Sequence, residues 1–161
     1  MTELVYGDSF STSARAVLSL AYFAYGSNLW LPRIQERCPS AEPIGPTWLH
    51  GWALVFDKPS TDGSAKANIR EVPGTSTPGV LYEIDPAHRI LLDHAEPLYA
   101  AIAVETGGLE AFTYAYAGEP TTSPPYDWYL GMIVRGRSHH DLPTGDLTVP
   151  SIPDPRPRVV V

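Results

Sequence analysis

A glutamate at the end of an apolar helix is the first residue whose position could support chemistry. Glu96 closes the stretch Asp93-His94-Ala95-Glu96, and Pro97 pushes the residue before it out of the helical region. The negative end of the helix dipole, any burial and the nearby Asp93 all disfavour a charged carboxylate there. A carboxyl group with a raised pKa exchanges a proton near neutral pH. The pattern predicts an acid/base residue, and the alternative is a solvated glutamate.

A turn between an apolar strand and a helix is the second candidate. The segment Tyr25-Gly26-Ser27-Asn28-Leu29 leads into a short helix predicted over about 29–37. Backbone N–H groups at a helix N-terminus are free to bind an anion, and Gly26 lets a ligand approach the backbone closely. The turn could therefore hold a carboxylate or an oxyanion. The alternative is that Ser27 or Asn28 only caps the helix.

Other clusters of reactive residue types do not predict a functional site. No second cluster is spaced to complete a metal site with His94, and residues 139–141 (His-His-Asp) fit a solvated loop. Ser27 does not stand in a Gly-x-Ser-x-Gly motif. Cys38 is the only cysteine, so a zinc-deaminase ligand set is excluded, and Cys38 is expected to fill a buried space. We expect neither a metal nor a cofactor.

Short elements must position these residues. Apolar and aromatic runs predict strands at Val17–Tyr25, Trp48–Phe56 and Gly79–Ile84, and a hairpin of Tyr99–Glu105 with Glu110–Ala117 around the turn 106–109. Helices are predicted over 29–37, 86–95 and Tyr126–Arg135, with a connection over 57–78 that holds at most a short strand at Ala67–Arg70. Strands outnumber helices and neighbours pair antiparallel, which indicates an α+β protein with a small barrel-like sheet.

The helix that precedes Glu96 has a clear start. Asp85 is the predicted N-cap and Pro86 the first helical residue. Its apolar spacing predicts that the helix faces the core with Ala87, Ile90, Leu91 and Ala95.

Composition narrows the class of protein. The 161 residues suggest one domain, with a core over about 17–143 and peripheral segments at 1–14 and 144–161. A net charge of −7 without a basic stripe argues against a nucleic-acid partner. The apolar run that begins at Ala16 is too short to span a bilayer and is interpreted as a buried strand rather than a signal peptide. We expect a cytoplasmic protein without a membrane partner, and an edge strand at Arg158–Val161.

A series of motifs follows one another in a familiar order. An aromatic-rich strand runs into Tyr-Gly-Ser-Asn-Leu at Tyr22-Phe23-Ala24-Tyr25-Gly26-Ser27-Asn28-Leu29. Later motifs are Pro39-Ser40-Ala41, Gly79-Val80-Leu81-Tyr82, Leu92-Asp93-His94-Ala95-Glu96, Tyr99, Pro125 to Tyr129, Gly136 and Leu142-Pro143. In this order, over about residues 20–143, they resemble the γ-glutamylcyclotransferase/AIG2-like family.

The resemblance implies a fold, a site and a reaction. It implies a γ-glutamyl cyclotransferase-like α+β fold with a mixed, mainly antiparallel barrel-like sheet and a few short helices. It implies that Glu96 is the acid/base residue and that the Tyr25–Leu29 loop, Tyr99 and Tyr129 bind substrate, with Tyr22 as a further lining residue. Family members release 5-oxoproline and an amine or amino acid from a γ-glutamyl amide, without water or cofactor. The implied partner is a small γ-glutamyl substrate, bound by a monomer or homodimer.

Two departures from the family pattern leave alternatives open. Pro97 stands where the family commonly has Gly, and Ala100 and Ala101 stand where many members have a polar residue. They are compatible with a catalytically silent ligand-binding protein, or with a different amide-transfer enzyme on the same scaffold. The glutathione-specific branch typically has Leu in place of Asn28, so glutathione itself is not favoured.

Overall fold

Five strands and three α-helices make up residues 19–156, which the computed structural model describes. The strands are β1 (Leu20–Ala24), β2 (Glu42–Pro59), β3 (Ala65–Ile84), β4 (Ala100–Thr106) and β5 (Leu109–Ala115). The helices are α1 (Leu31–Arg37), α2 (Arg89–Ala95) and α3 (Asp127–His139), with short 3-10 turns at Ser27–Leu29 and Pro86–His88. The predictions for residues 1–14, for the first residues of the strand from Val17, and for Arg158–Val161 lie outside the described residues.

The strands form one sheet in the order β2-β3-β1-β5-β4. All neighbours pair antiparallel except β1 and β5, which run parallel through Tyr22 and Phe112. The two outer strands meet at one end, where Thr106 Oγ1 donates to the Trp48 carbonyl at 2.9 Å. This curvature and the three helices confirm the predicted α+β class with a mainly antiparallel, barrel-like sheet.

The long hairpin of β2 and β3 differs from the prediction. We predicted a strand over Trp48–Phe56 and a connection over 57–78, but β2 and β3 pair from Glu42–Glu83 to Pro59–Ala65, and only residues 60–64 connect them. Residues 71–74 of β3, which include Pro73 and Gly74, are exposed. The turn-forming residues in this part of the strand therefore reflect contact with solvent. Backbone pairing with β2 overrides the weak strand propensity of this composition.

The second hairpin agrees with the sequence. β4 and β5 pair from Ala100–Ala115 to Thr106–Leu109, and Gly107 and Gly108 have φ angles of 59° and 75°. Positive φ at both central residues is the requirement of a two-residue type I′ turn, which glycine meets without strain.

Helix α2 begins as predicted but faces the core differently. The Asp85 carboxylate accepts from the Ala87 N–H at 2.9 Å, and Pro86 opens a 3-10 turn that becomes α-helical at Arg89. Of its residues only Leu92 is buried. The prediction that Ala87, Ile90, Leu91 and Ala95 line the core is therefore wrong: Ile90 and Leu91 are 56% and 41% exposed, Ala87 is exposed and Ala95 is half-buried. A helix of seven residues on the surface turns only one residue inward.

Helix α3 continues beyond its predicted end at Arg135 to His139. The glycine at position 136 allows the helix to pass directly over residues 29 and 30, so packing rather than propensity extends it. The buried Arg137 binds the carboxylate of Asp146 and the Pro143 carbonyl, and Leu147 joins the core. The segment after Pro143 thus packs on the end of α3.

The core gathers the inner faces of β1, β3 and β5 against α1 and α3. Its fully buried side chains include Phe23, Ile34, Val80, Tyr82 and Ile133. Because β1 is the central strand, the residues that follow it are delivered to a fixed place above the sheet. None of the described helices is long and apolar enough to cross a membrane.

Candidate active site

Glu96 lies immediately after α2, at the wall of a cavity. Its side chain is 15% exposed, and its Oε1 accepts from Asn28 Nδ2 at 3.0 Å and from Arg37 Nη1 at 3.3 Å. Oε2 has no hydrogen-bond partner within residues 19–156. Glu96 lines two adjoining cavities. One oxygen is therefore fixed by the protein, and the other is available to a bound molecule.

The protonation of Glu96 reflects opposing influences. Burial raises the pKa of its carboxyl group above the usual value, while Arg37, Lys58, Arg33 and the hydrogen bond from Asn28 lower it, and burial prevails. Asp93 was also expected to disfavour a charged Glu96, but its carboxylate is exposed and accepts from the Tyr114 hydroxyl at 2.6 Å. Desolvation is thus the main reason that Glu96 is suited to take and return a proton.

A tight turn joins Glu96 to Tyr99. The Tyr99 N–H donates to the Glu96 carbonyl at 3.3 Å, Pro97 occupies the second position and Leu98 the third, with a φ of 70°. This is the pattern of a type II turn, which favours Gly or Asn rather than Leu at its third position. The turn brings the side chains of residues 96 and 99 to the same cavity.

The loop after β1 holds its polar side chains for the site rather than for a helix cap. Residues 27–29 form a 3-10 turn, α1 starts only at Leu31, and neither Ser27 nor Asn28 makes a side-chain cap. Ser27 Oγ instead accepts from Arg33 Nε at 2.9 Å, and Asn28 Nδ2 donates to Glu96 and to the Tyr22 hydroxyl. The cap prediction is wrong because tertiary partners compete for both side chains.

Leu29 was predicted to bind substrate with the rest of the loop, and the structure places its side chain behind the loop. Its side chain is fully buried and lines neither of the two cavities next to Glu96. A Cβ at position 136 would lie 2.5 Å from Leu29 Cβ, which shows how closely α3 packs on the back of the loop. Leu29 therefore anchors the loop from behind.

Five tyrosines surround the carboxylate of Glu96. Tyr22, Tyr25, Tyr99, Tyr114 and Tyr129 line the inner cavity together with the loop. The Tyr25 hydroxyl donates to the Tyr114 carbonyl at 2.5 Å, and the Tyr99 hydroxyl to the Ala67 carbonyl at 2.5 Å. The Tyr129 hydroxyl accepts from the Ala67 N–H at 2.9 Å. The O–H groups of Tyr22 and Tyr129 act as acceptors in these bonds, so each retains a proton that it can donate to a ligand.

Four cations next to Glu96 were missed by the sequence analysis. Arg33 and Arg37 lie one turn apart on α1, a spacing that could have indicated a shared face. Lys58 and Lys66 come from β2 and β3, opposite each other across a β-bulge at Asp57. Only that bulge puts Lys58 opposite Lys66, and no sequence pattern indicates it.

The cavity has two parts that meet at Glu96. The inner recess, about 30 Å³, is lined by the tyrosines, Gly26, Asn28 and Ala67. The outer chamber, about 190 Å³, is lined by the four cations and by Pro97. Ser27, Glu96, Tyr99 and Tyr129 line both, so the predicted site residues other than Leu29 are brought together around two adjoining cavities.

Other parts of the molecule offer weaker sites. A groove of about 570 Å³ lies between the β2–β3 hairpin and residues 122–125. Among the described residues that line it, Asp146 is the only ionisable one, and Asp146 binds Arg137. Cys38 is fully buried, as expected, and contacts Ser40. In the described part of the chain no group of three or more His, Cys, Asp or Glu side chains could hold a metal ion.

Comparison with known proteins defines the class. Curated relatives named γ-glutamylcyclotransferase, from Bos taurus and from Homo sapiens, are each 30% identical over 138 residues, which cover 78% of this chain and 73% of the relative. A solved structure named γ-glutamyl cyclotransferase superposes with a TM-score of 0.79 at 26% identity, over 88% of this chain and 94% of its own. The protein is an enzyme of the γ-glutamylcyclotransferase kind.

The family assignment follows from a match over most of the chain. The sequence model of the family described as "Gamma-glutamyl cyclotransferase, AIG2-like" matches residues 22–130. That range includes the loop after β1, Glu96 and the start of α3. The chain belongs to this family, as the resemblance in the sequence implied.

Proposed function

We propose that the protein converts a γ-glutamyl amide into 5-oxoproline and a free amine, with Glu96 as the single acid/base group. The observation that carries the proposal is the Glu96 carboxylate, buried, with a raised pKa, held at Oε1 and unpartnered at Oε2 within the described chain. The proton transfers of this reaction require a group that both accepts and returns a proton.

The proton transfers follow from the chemistry of the substrate. Its α-amine is an ammonium near neutral pH, and Glu96 Oε2 takes one proton from it. The amine then attacks the γ-carbonyl carbon of the same molecule, which closes a five-membered ring and leaves a tetrahedral oxyanion. The attacking nitrogen still carries two protons at this point. Glu96 returns its proton to the leaving nitrogen, the oxyanion collapses and the C–N bond breaks. Glu96 then takes the surplus proton from the ring nitrogen and passes it to the released amine, so that neutral lactam (5-oxoproline) and an ammonium leave. Protons and charge balance without water or a cofactor.

The loop after β1 supplies donors for the oxyanion and the substrate α-carboxylate. The N–H groups of Ser27 and Asn28 have no acceptor among the described residues, and both residues line the inner recess. The hydroxyls of Tyr22 and Tyr129 supply further donors in the same recess. Donors that are fixed in place before the reaction stabilise developing negative charge strongly, because they need no reorganisation.

Holding the substrate in a folded shape supplies the rest of the rate enhancement. The nucleophile and the electrophile belong to one flexible molecule, so binding that brings them together removes much of the entropic barrier, on the order of several kcal/mol. The inner recess is narrow and its wall hydroxyls of Tyr25 and Tyr99 are bonded to backbone carbonyls, which makes the walls rigid. Rigid walls beside Glu96 are suited to hold the reacting end of the substrate in a fixed position.

The experiment is a panel of γ-glutamyl amines and γ-glutamyl amino acids, with 5-oxoproline detected by mass spectrometry. Wild-type protein should release the ring product from at least one member. Glu96→Gln should lower turnover by roughly 10² or more, the usual scale for lost acid/base catalysis. Glu83→Gln, which makes the same change on an exposed residue of β3 outside both cavities, is the matched control. An undiminished rate in Glu96→Gln would overturn the mechanism.

The alternatives raised by the sequence predict different results in this panel. Pro97 lines the outer chamber, whereas Ala100 and Ala101 line neither cavity, so only the first departure lies at the site. Binding without any product across the panel would favour a catalytically silent ligand-binding protein. Amide turnover without 5-oxoproline would favour an amide-transfer enzyme. As part of the same proposal, the enzyme is cytoplasmic and acts on a small molecule as a monomer or homodimer.

A further inference from the structure

The outer chamber carries a surplus of positive charge. Four cations (Arg33, Arg37, Lys58 and Lys66) line it, and Glu96 is the one carboxylate among its lining residues. Glu96 pairs with Arg37, and the Asp62 carboxylate, which does not line the chamber, pairs with Lys66 at 3.1 Å and with Arg156 at 3.5 Å. Two positive charges, on Arg33 and Lys58, therefore face the chamber without a carboxylate partner within residues 19–156.

Lys58 is the more unusual of the two. It is only 4% exposed, yet its ammonium group has no hydrogen-bond acceptor and no carboxylate within 4 Å among the described residues. Its nearest described partner is the face of the Tyr99 ring, 4.7 Å from Nζ to the ring centroid. The Lys58 side chain is mostly buried while its ammonium lines the chamber, and partial loss of hydration is costly for a cation unless something compensates for it. An anion in the chamber would provide that compensation.

The fold positions Lys58 through an irregularity in β2. The register of β2 against β3 shifts at Asp57, so that Lys58 rather than Asp57 lies opposite Lys66. The Asp57 carboxylate is instead bound by Asn68 Nδ2 at 2.9 Å and by Arg70 Nε at 3.0 Å, away from the chamber. Bulges commonly re-aim a side chain beside a functional site. Here the bulge exchanges a negative charge for a positive one at the chamber wall.

The γ-glutamyl group cannot neutralise this surplus. Its α-ammonium and α-carboxylate cancel each other, and in the proposed reaction they lie beside Glu96 and the loop, at the mouth of the inner recess. The part of the substrate that occupies the outer chamber is then the amine that leaves. Two unmatched cations there favour an amine that carries two negative charges, because opposite charges complement each other in a desolvated site.

We propose that the outer chamber selects γ-glutamyl substrates whose leaving amine is a dicarboxylic amino acid, and that Lys58 is the specificity-determining residue. This inference rests on the proposed cyclotransfer for the placement of the substrate. Arg33 contributes the second cation, and its planar guanidinium is suited to a carboxylate. The volume of the chamber, about 190 Å³, restricts the leaving group to a small one.

The test compares two substrates of nearly equal shape, γ-glutamyl-glutamate and γ-glutamyl-glutamine. They differ by one negative charge on the leaving amino acid. We expect wild-type kcat/KM for 5-oxoproline release to be about tenfold or more higher for γ-glutamyl-glutamate, the scale of one charge-assisted hydrogen bond. Equal values, or a preference for γ-glutamyl-glutamine, would overturn the proposal without help from any variant.

Variants then assign the selectivity to Lys58. Lys58→Met should lower kcat/KM for γ-glutamyl-glutamate about tenfold and leave γ-glutamyl-glutamine nearly unchanged, so that the preference disappears. Lys58→Arg should retain most of it. Arg135→Met removes one exposed positive charge outside the chamber and should leave the preference as in wild type. An equal loss on both substrates in Lys58→Met would mean that Lys58 binds the γ-glutamyl group instead.

Equilibrium binding separates this proposal from the proposed function. If no member of the panel of γ-glutamyl amines and amino acids gives 5-oxoproline, the cyclotransfer mechanism fails. Calorimetric Kd values for both dipeptides on the Glu96→Gln variant still test the charge selectivity. Binding of γ-glutamyl-glutamate about tenfold tighter would support the selection of a dicarboxylic leaving group. Equal binding would overturn it.

Discussion

Asn28 Nδ2 lies 3.0 Å from Glu96 Oε1 and 3.0 Å from the Tyr22 hydroxyl, so one amide group joins the loop after β1 to the carboxylate that follows α2. Its Oδ1 accepts from Arg37 Nη1 at 3.4 Å. Both ends of the amide are therefore occupied, which fixes the orientation of the side chain. A residue that is 68 positions from Glu96 in sequence thus helps to hold its carboxylate in place and lowers its pKa.

Removal of the Asn28 amide should shift the pH dependence of activity. The hydrogen bond from Asn28 lowers the pKa of Glu96, so Asn28→Leu should raise that pKa further. Because Glu96 must be ionised to accept a proton, kcat/KM falls as the pH drops through this pKa. The acidic limb of the pH profile should therefore move to higher pH. Gln35→Leu, a change of an exposed amide on α1, should leave the profile in place. An acidic limb unchanged in Asn28→Leu would contradict the prediction.

Removal of the Arg37 charge should raise the pKa of Glu96 in the same way. Arg37 is the largest of the influences that lower the pKa of Glu96, and its Nη1 is 3.3 Å from Oε1. Arg37→Met should also move the acidic limb of kcat/KM upward. Added salt should reduce the difference between variant and wild type, since the interaction is partly exposed to solvent. A shift toward lower pH would show that Arg37 does not stabilise the carboxylate.

The charge of Glu96 should cost folding stability. Its folded pKa is raised above the usual value of 4.5, so the folded state holds the proton more tightly than the unfolded chain. Stability is then lost as the pH rises from about 4.5 through the folded pKa. Glu96→Gln has no such loss, so its free energy of unfolding should exceed that of wild type above this window. Below pH 4.5 the two should converge. Urea unfolding of both proteins across pH would measure this, and a variant that is less stable at pH 8 would contradict it.

The sequence was sufficient to predict the elements that local chemistry determines. Asp85-Pro86 starts the helix before Glu96, Pro97 ends it, and Gly107-Gly108 makes the hairpin turn, because each depends on backbone preferences of a few residues. The loop after β1 and Glu96 were also predicted as candidates. Their meeting at Asn28 Nδ2 and Glu96 Oε1 could not be derived from local pattern, since it depends on how the sheet is ordered.

The missed features depend on contacts between distant segments. Lys58 lines the site only because of the register shift at Asp57, and residues 71–78 are a strand only because β2 pairs with them. The buried face of α2 was predicted wrongly, because the spacing of its apolar residues is compatible with more than one buried face. Packing in the folded protein leaves only Leu92 of this helix buried. Periodicity gives the type of an element, whereas its partner determines which side chains reach the site.

The turn between Glu96 and Tyr99 should tolerate a better turn residue. Leu98 has a φ of 70° and is 70% exposed, so its side chain gains little from burial. A non-glycine residue in this conformation costs roughly 1–2 kcal/mol, and the greater flexibility of glycine in the unfolded chain offsets about 0.5–1 kcal/mol. Leu98→Gly should therefore raise the free energy of unfolding by up to about 1.5 kcal/mol, measured in urea, with turnover retained. Marked destabilisation would show that Leu98 makes contacts that this turn requires.

The two glycines of α3 should respond oppositely to alanine. A Cβ at position 131 meets no atom within 4 Å, so Gly131→Ala should stabilise the protein by about 0.5–1 kcal/mol through helix propensity. A Cβ at position 136 would lie 2.5 Å from Leu29 Cβ and 2.8 Å from Trp30 N. Gly136→Ala should therefore destabilise by about 1–3 kcal/mol, the usual cost of overpacking.

The same pair of variants tests whether α3 holds the catalytic loop in place. In Gly136→Ala the loop must move, and with it Asn28, so kcat/KM should fall by roughly 10² for a displacement near 1 Å. Gly131→Ala lies in the same helix but away from the loop, and its activity should match wild type. Thermal unfolding and steady-state kinetics on both variants separate the two effects. A Gly136→Ala protein that is destabilised but fully active would show that Leu29 can shift without moving Asn28 relative to Glu96.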